Sequence, residues 1–60
     1  MSNANTQAIT YERGADLIAE SQVEDRLDIG HSMVYRLKHP QEGAIVVISS
    51  SVGQSAMVRA

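Results

Sequence analysis

The sequence contains no cysteine, phenylalanine or tryptophan, and it has one proline and two tyrosines in 60 residues. Without cysteine the chain can form neither a disulfide nor a thiolate metal site. Two histidines are too few for an ordinary zinc site, so we expect no metal and no cofactor. A chain of this length buries only about 60% of the surface that its unfolded form exposes. We therefore expect one domain over residues 1–60, stabilised by association with a second copy.

Long apolar runs are also missing from the sequence. Since a transmembrane helix needs about 18 or more consecutive apolar residues, no membrane span is expected. The first residues, MSNANTQ, do not show the basic region and apolar stretch of a signal peptide. These features predict a cytoplasmic protein whose residues 1–6 are disordered.

Charge is distributed unevenly along the chain. Residues 12–28 hold six acidic side chains and two arginines, whereas residues 31–60 hold three basic side chains and one acidic one. The net charge of −2 argues against indiscriminate binding to nucleic acid. The basic second half is the part that we expect to face an anion.

The acidic residues of the first half recur at every fourth position. In one long helix, like charges at this spacing would repel and would surround Val23 and Leu27, so we predict a break near Ser21. Ser21 and Glu24 form a capping-box pattern, which favours a new helix there. We thus expect one helix over residues 12–19 and a second over residues 21–27. The acidic ladder consists of Glu12, Asp16, Glu20, Glu24 and Asp28.

The stretch VEDRLDIGHSMVYRL, residues 23–37, allows two interpretations. The spacing of its apolar residues fits two short helices joined by a turn at Gly30, with Pro40 ending the second helix. This is the spacing of a helix-turn-helix, in which the second helix enters the major groove of DNA. Alternation over residues 32–38 equally fits a strand, followed by a hairpin loop in LKHPQEGA. We favour the helical interpretation because the turn residues and all five apolar positions match.

The last part of the chain predicts an antiparallel β-hairpin. AIVVISS, residues 44–50, is apolar and β-branched, and SAMVRA, residues 55–60, returns after turn residues that include Gly53. Ile45 and Val47 should point to one side of the first strand, and Val46 and Ile48 to the other. Because both sides are apolar, we expect one side to be buried within the subunit and the other between subunits.

This order of elements resembles the Cro family of lambdoid phage repressors. The resemblance covers residues 8–60 and is carried by AITY, by VEDRLDIGHSMVYRL and by the hairpin AIVVIS…SAMVRA. It implies an α+β fold with a short N-terminal strand, three short helices containing a helix-turn-helix, and a C-terminal antiparallel β-hairpin. It also implies a sequence-specific repressor in the cytoplasm of a bacterial host cell, binding double-stranded operator DNA as a homodimer. Glu24 and Asp28 depart from the family pattern, which usually has Ala and Gly there.

The resemblance places the recognition helix over residues 31–39. Arg36 would then be the partner of a guanine base, and Lys38 would contact the phosphate backbone. The DNA-binding residues implied in this way are His31, Ser32, Tyr35, Arg36, Lys38 and His39. The dimer interface would comprise Val46, Ile48, Met57 and Val58.

Two other classes of function compete with DNA binding. An enzyme is disfavoured, because the three serines at 49–51 lack a nucleophile-elbow context and no Gly-rich loop follows a strand. We therefore expect no small-molecule substrate. The stronger alternative is a helix-turn-helix-like module that binds a protein partner, such as part of the transcription machinery, through its acidic first helices.

Overall fold

The computed structural model describes residues 6–59 and consists of one antiparallel sheet of five strands with one helix packed on it. The chain runs β1 (Thr6–Ile9), α1 (Tyr11–Glu20), β2 (Gln22–Ile29), β3 (Ser32–His39), β4 (Gly43–Ser50) and β5 (Ser55–Arg59). The predicted disorder of residues 1–5 lies outside the described part, and Thr6 belongs to β1.

The strands lie in the order β1-β5-β4-β3-β2, so β1 and β2 form the two edges of the sheet. Strands β2 to β5 follow one another as a meander, and β1 pairs with β5, with Thr6 opposite Val58. Because side chains directly opposite each other in an antiparallel pair share a face, the strand register assigns every side chain to one of two faces. We call the face covered by α1 the helix face and the other the open face.

Local sequence explains where α1 begins and ends. Thr10 caps its start, with the hydroxyl oxygen accepting from the N–H of Arg13 at 3.0 Å. Ser21, extended at φ −103°, ends it, and its N–H donates to the carbonyl of Ile18. Gly14 is buried where the helix approaches β5 closely, since a Cβ there would lie 3.1 Å from the Ser55 hydroxyl oxygen. The helix therefore lies directly on β5.

The core between α1 and the sheet is small. It consists of five buried side chains, with Ile9, Ile18 and Tyr35 partly buried around them. The helix packs across β3, β4 and β5. The five core residues are Leu17, Leu37, Ile45, Val47 and Met57.

One glycine fixes the turn between β2 and β3. Ile29 pairs with Ser32, which leaves Gly30 and His31 as a two-residue loop. Gly30 has φ +60°, whereas no residue other than glycine has a positive φ in the described chain. This combination identifies a type II′ turn, whose twist matches that of the flanking strands and whose first central position favours glycine.

The predicted fold with three helices and a helix-turn-helix is wrong. Residues 6–59 contain one α-helix, and the segments expected to form the second and third helices are β2 and β3. The alternative interpretation of residues 32–38 as a strand is the correct one. Ser21 ends a helix instead of starting one, and the chain after it continues as the extended strand β2. The fold that the Cro resemblance implies is therefore not the fold of this chain.

Other predicted elements are present. The helix predicted over residues 12–19 is α1, and the C-terminal hairpin is the antiparallel pair β4 and β5. The N-terminal strand, expected within residues 8–11, lies slightly earlier in β1. Ile45 and Val47 point into the core and Val46 and Ile48 away from it, as the alternation predicted.

Candidate interaction surfaces

The open face is an apolar surface built by all five strands. Register pairs Ile48 with Val34 on one side and with Ala56 on the other, and the row extends to Leu27 and Ala8. A second row holds Val46 and Val58. In the described chain no element packs on this face, since α1 lies on the opposite side. The apolar side chains of the open face are Ala8, Leu27, Ile29, Val34, Ala44, Val46, Ile48, Ala56 and Val58.

A few charges lie beside this apolar surface. Arg36 and Lys38 point to the open face from β3, because they pair with Val46 and Ala44. The Arg36 guanidinium lies 3.9 Å from the Asp25 carboxylate, and both side chains are exposed. An exposed ion pair of this kind contributes little to stability. The open face is thus apolar at its centre and charged towards β2 and the β3–β4 turn.

The outer edge of β2, here called the β2 edge, is a second accessible surface. The strand is eight residues long, pairs only with β3 among the described strands and is exposed at every position. Leu27 and Ile29 are 57% and 56% exposed, which is high for large apolar side chains. A long, exposed edge presents free N–H and C=O groups to which another strand can bind.

A shallow, open cleft of about 470 Å³ lies at one end of the sheet, beyond the start of α1. Tyr11 and Tyr35 line it together with the tip of the β2–β3 hairpin and the turn between β4 and β5. His31 and Ser32, both predicted to contact DNA, also lie at this cleft. Its lining mixes polar and apolar side chains and faces solvent.

The structure separates the six residues predicted to bind DNA. His31, Ser32 and Tyr35 lie at the cleft, and Tyr35 also packs against the core. Arg36 and Lys38 lie on the open face. Because β3 is a strand, neighbouring side chains point to opposite faces, and the single helical surface expected for these residues does not form.

His39 has a structural position that the sequence did not indicate. Its side chain is 1% exposed, and Nε2 lies 2.8 Å from Oε1 of Glu20. Nδ1 accepts from the backbone N–H groups of Gln41 and Glu42, at 3.1 and 3.0 Å. Both ring nitrogens are therefore occupied in tying the end of α1 to the β3–β4 turn, and His39 is not available to DNA.

The four residues predicted to form a dimer interface are also divided between faces. Val46, Ile48 and Val58 lie together on the open face, partly buried. Met57 instead belongs to the core and is 5% exposed. Adjacent residues of a strand cannot both point to one face, so Met57 and Val58 could not share a flat interface.

Sequence reasoning missed Leu27, Ile29 and Val34, which extend the open face towards β2. The helix-turn-helix interpretation of VEDRLDIGHSMVYRL places them between its two helices instead. The signal that identifies them is the two-residue loop Gly30–His31 between extended segments, because register across that turn places Leu27 opposite Val34.

Side chains able to bind a metal ion are scattered over the described part of the chain. Among residues 6–59 no three or more His, Asp or Glu side chains are grouped so that they could hold such an ion. No helix in this part of the chain is long and apolar enough to cross a membrane.

Comparisons with known proteins add no family to these observations. A scan against protein-family models, a search of curated proteins and a search of solved structures each find no match.

Proposed function

We propose that this protein is a non-catalytic protein-interaction module that acts as a homodimer, joined through the open face. The observation that carries the proposal is the row of apolar side chains running across all five strands with no layer packed on it in residues 6–59. A sheet that is apolar on both faces needs a layer on each side. One layer is α1, and a second copy of the chain supplies the other.

The small core supports this assignment. Five buried side chains hold α1 to the sheet, which is little for an independent domain. Each apolar side chain removed from water contributes about 25 cal/mol per Å² of apolar surface, and the open face offers several of them. Stacking two open faces would place the two sheets about 10 Å apart with their side chains interdigitated.

The dimensions of the sheet suit such a contact. The two longer dimensions of the fold are 30 and 27 Å. A face of that extent is comparable with the roughly 800 Å² that each partner contributes to a standard protein interface. Arg36 and Asp25 continue the row of Val46 and Val58 out to the β2 side of the open face, where a polar rim is expected.

We do not propose that this chain binds operator DNA through a recognition helix. Residues 31–39 are mainly strand β3, so the described chain offers no helix that could enter the major groove from that segment. His39 is buried, and the other predicted contacts point in different directions. The alternative predicted from the sequence is a helix-turn-helix-like module that binds a protein partner through its acidic first helices; the uncovered apolar face instead supports protein binding through the sheet.

Sedimentation equilibrium over micromolar to millimolar concentrations tests the proposal. The wild-type chain should associate reversibly, and Val46→Asp or Val58→Asp should raise the dissociation constant of the open-face contact at least tenfold, because each substitution buries a carboxylate in that contact. Ala15→Asp, an exposed position on α1 far from the open face, is the control and should dimerise like wild type.

Circular dichroism must show that the variants remain folded. A wild-type chain that stays monomeric at millimolar concentration would refute the proposal. Equal association of the wild type and a folded Val46→Asp variant would refute it as well.

A further inference from the structure

We infer that the β2 edge is a second self-association site, at which two copies pair β2 against β2 in antiparallel register to form one continuous ten-stranded sheet. This contact is separate from the open face, because it uses the free edge of the sheet. The occupant is a second copy of this chain, and the charge pattern of β2 is the reason for choosing it.

Symmetry restricts how two copies of β2 can pair. Two identical edges form a continuous antiparallel sheet when a two-fold axis runs perpendicular to the sheet. Such an axis keeps each face continuous, so residues opposite each other must come from the same face. The axis therefore passes beside one residue of β2, which then lies opposite its own copy.

The bulge in β2 shows which residue that is. The pairing of β2 with β3 shifts register between Val23 and Asp25, so the regular part of the strand is Asp25–Ile29. Leu27 is the centre of this segment. With the axis beside Leu27, all five residues of the regular segment pair with the other copy. An axis beside a neighbouring residue leaves part of this segment unpaired.

With the axis at Leu27, the side chains of the two copies are complementary. The two Leu27 side chains meet on the open face, and each Arg26 lies opposite the Asp28 of the other copy on the helix face. Register with Tyr35 and Met33 places Arg26 and Asp28 on that same face. Opposite charges directly across an antiparallel pair are favourable. An axis beside Arg26 would instead set two arginines against each other, so charge selects the Leu27 register.

Backbone geometry agrees with this register. The N–H of Arg26 donates to the neighbouring Asp25 carboxylate at 2.8 Å on an exposed surface, the contact expected of an N–H that faces the outer edge. Since N–H and C=O groups alternate along an antiparallel strand, those of Asp28 then face outward too. In the Leu27 register Arg26 and Asp28 of opposite copies are directly paired, and the Arg26 N–H would exchange the Asp25 carboxylate for the Asp28 carbonyl of the other copy.

Charge reversal with rescue tests the pairing in the Val46→Asp background, where the contact through the open face is removed. The Val46→Asp chain should still form a dimer by sedimentation velocity. Adding Arg26→Asp or Asp28→Arg should weaken that dimer at least tenfold, because each sets like charges across the axis. The combination Arg26→Asp with Asp28→Arg restores opposite charges and should restore the dimer. Asp16→Arg, on the exposed surface of α1, is the charge control and should change nothing.

Cysteine cross-linking tests the register independently, since the chain has no native cysteine. In the Val46→Asp background, where the open-face contact is removed, Leu27→Cys should form a disulfide between copies with oxidised glutathione, because β2 pairing brings the two positions within disulfide reach when Leu27 lies opposite itself. Ile29→Cys should not, since two copies of residue 29 are then several residues apart.

The results of these experiments distinguish the contact at the β2 edge from the contact through the open face. If the wild type dimerises but Val46→Asp is a monomer that Leu27→Cys does not cross-link, the β2 pairing is refuted and the open-face dimer stands. If the charge-reversed pair fails to restore association, or both cysteine variants cross-link equally, the Leu27 register is refuted. A wild-type dimer unchanged by Val46→Asp but lost with Arg26→Asp supports the edge contact and refutes the contact through the open face.

Discussion

His39 shows how a residue selected for function can instead be structural. It is the buried side chain at which the end of α1, the end of β3 and the following turn meet. Because Nδ1 accepts two backbone hydrogen bonds, the ring proton must lie on Nε2, from which it donates to Glu20. The sequence could not show this, since Glu20 and His39 are 19 residues apart and only the fold brings them together.

Replacing His39 by phenylalanine should lower the free energy of unfolding by about 1–3 kcal/mol. Phenylalanine keeps the ring but leaves the N–H groups of Gln41 and Glu42 without their acceptor. Urea denaturation followed by circular dichroism measures the change, with His31→Phe at the exposed hairpin tip as the matched control. A loss of the same size in both variants would contradict the assigned role of His39.

At the scale of elements, the helix and the two C-terminal strands could be predicted because each residue pattern fits only one type of secondary structure. Residues 12–19 cannot alternate as a strand, and the β-branched run Ile45–Ile48 strongly favours one. Repulsion within the acidic ladder correctly predicts a break at Ser21. It does not identify the next element as a strand, because β2 is exposed on both faces and alternates between polar and apolar residues only over Arg26–Ile29.

Strand β3 was missed for a different reason. Met33, Tyr35 and Leu37 alternate with Val34, Arg36 and Lys38, but Val34 and Leu37 also satisfy helical spacing. The deciding signal was Gly30–His31, which we interpreted as a turn between helices instead of a two-residue hairpin loop. Only part of the candidate surfaces could therefore be predicted, namely the outward-facing residues of β4 and β5.

Gly30→Ala should destabilise the protein by about 1 kcal/mol, because a residue with a Cβ is strained at φ +60° even though open space surrounds this position. Gly30→Asn should cost less, since asparagine is, after glycine, among the residues that type II′ turns accept at positive φ. Thermal unfolding of the three chains at one protein concentration tests the order. If alanine and asparagine were both neutral, the turn would not be the type II′ turn described.

At the scale of the whole molecule, contacts between residues far apart in the sequence hold the elements together. Glu42, in the turn between β3 and β4, lies beside Arg13 of α1 and Arg59 of β5. Composition and spacing cannot reveal such a contact among three elements. Composition and spacing do indicate that a chain with so small a core must bury more apolar surface. The open face is the apolar surface that remains to be buried.

The pairing of β1 with β5 has a consequence for how the chain acquires its structure. Strand β5 lies between β1 and β4, so the first strand has no neighbour in the sheet until the last one has been synthesised. A chain shortened to end at Ser51 should therefore be largely unfolded by circular dichroism and by NMR chemical-shift dispersion; native-like dispersion in it would contradict this expectation.

Pairing the first strand with the last one slows folding relative to helical domains of equal size. During synthesis on the ribosome, the helix face of the sheet stays incomplete until β5 emerges, and this is when the nascent chain is most prone to aggregation.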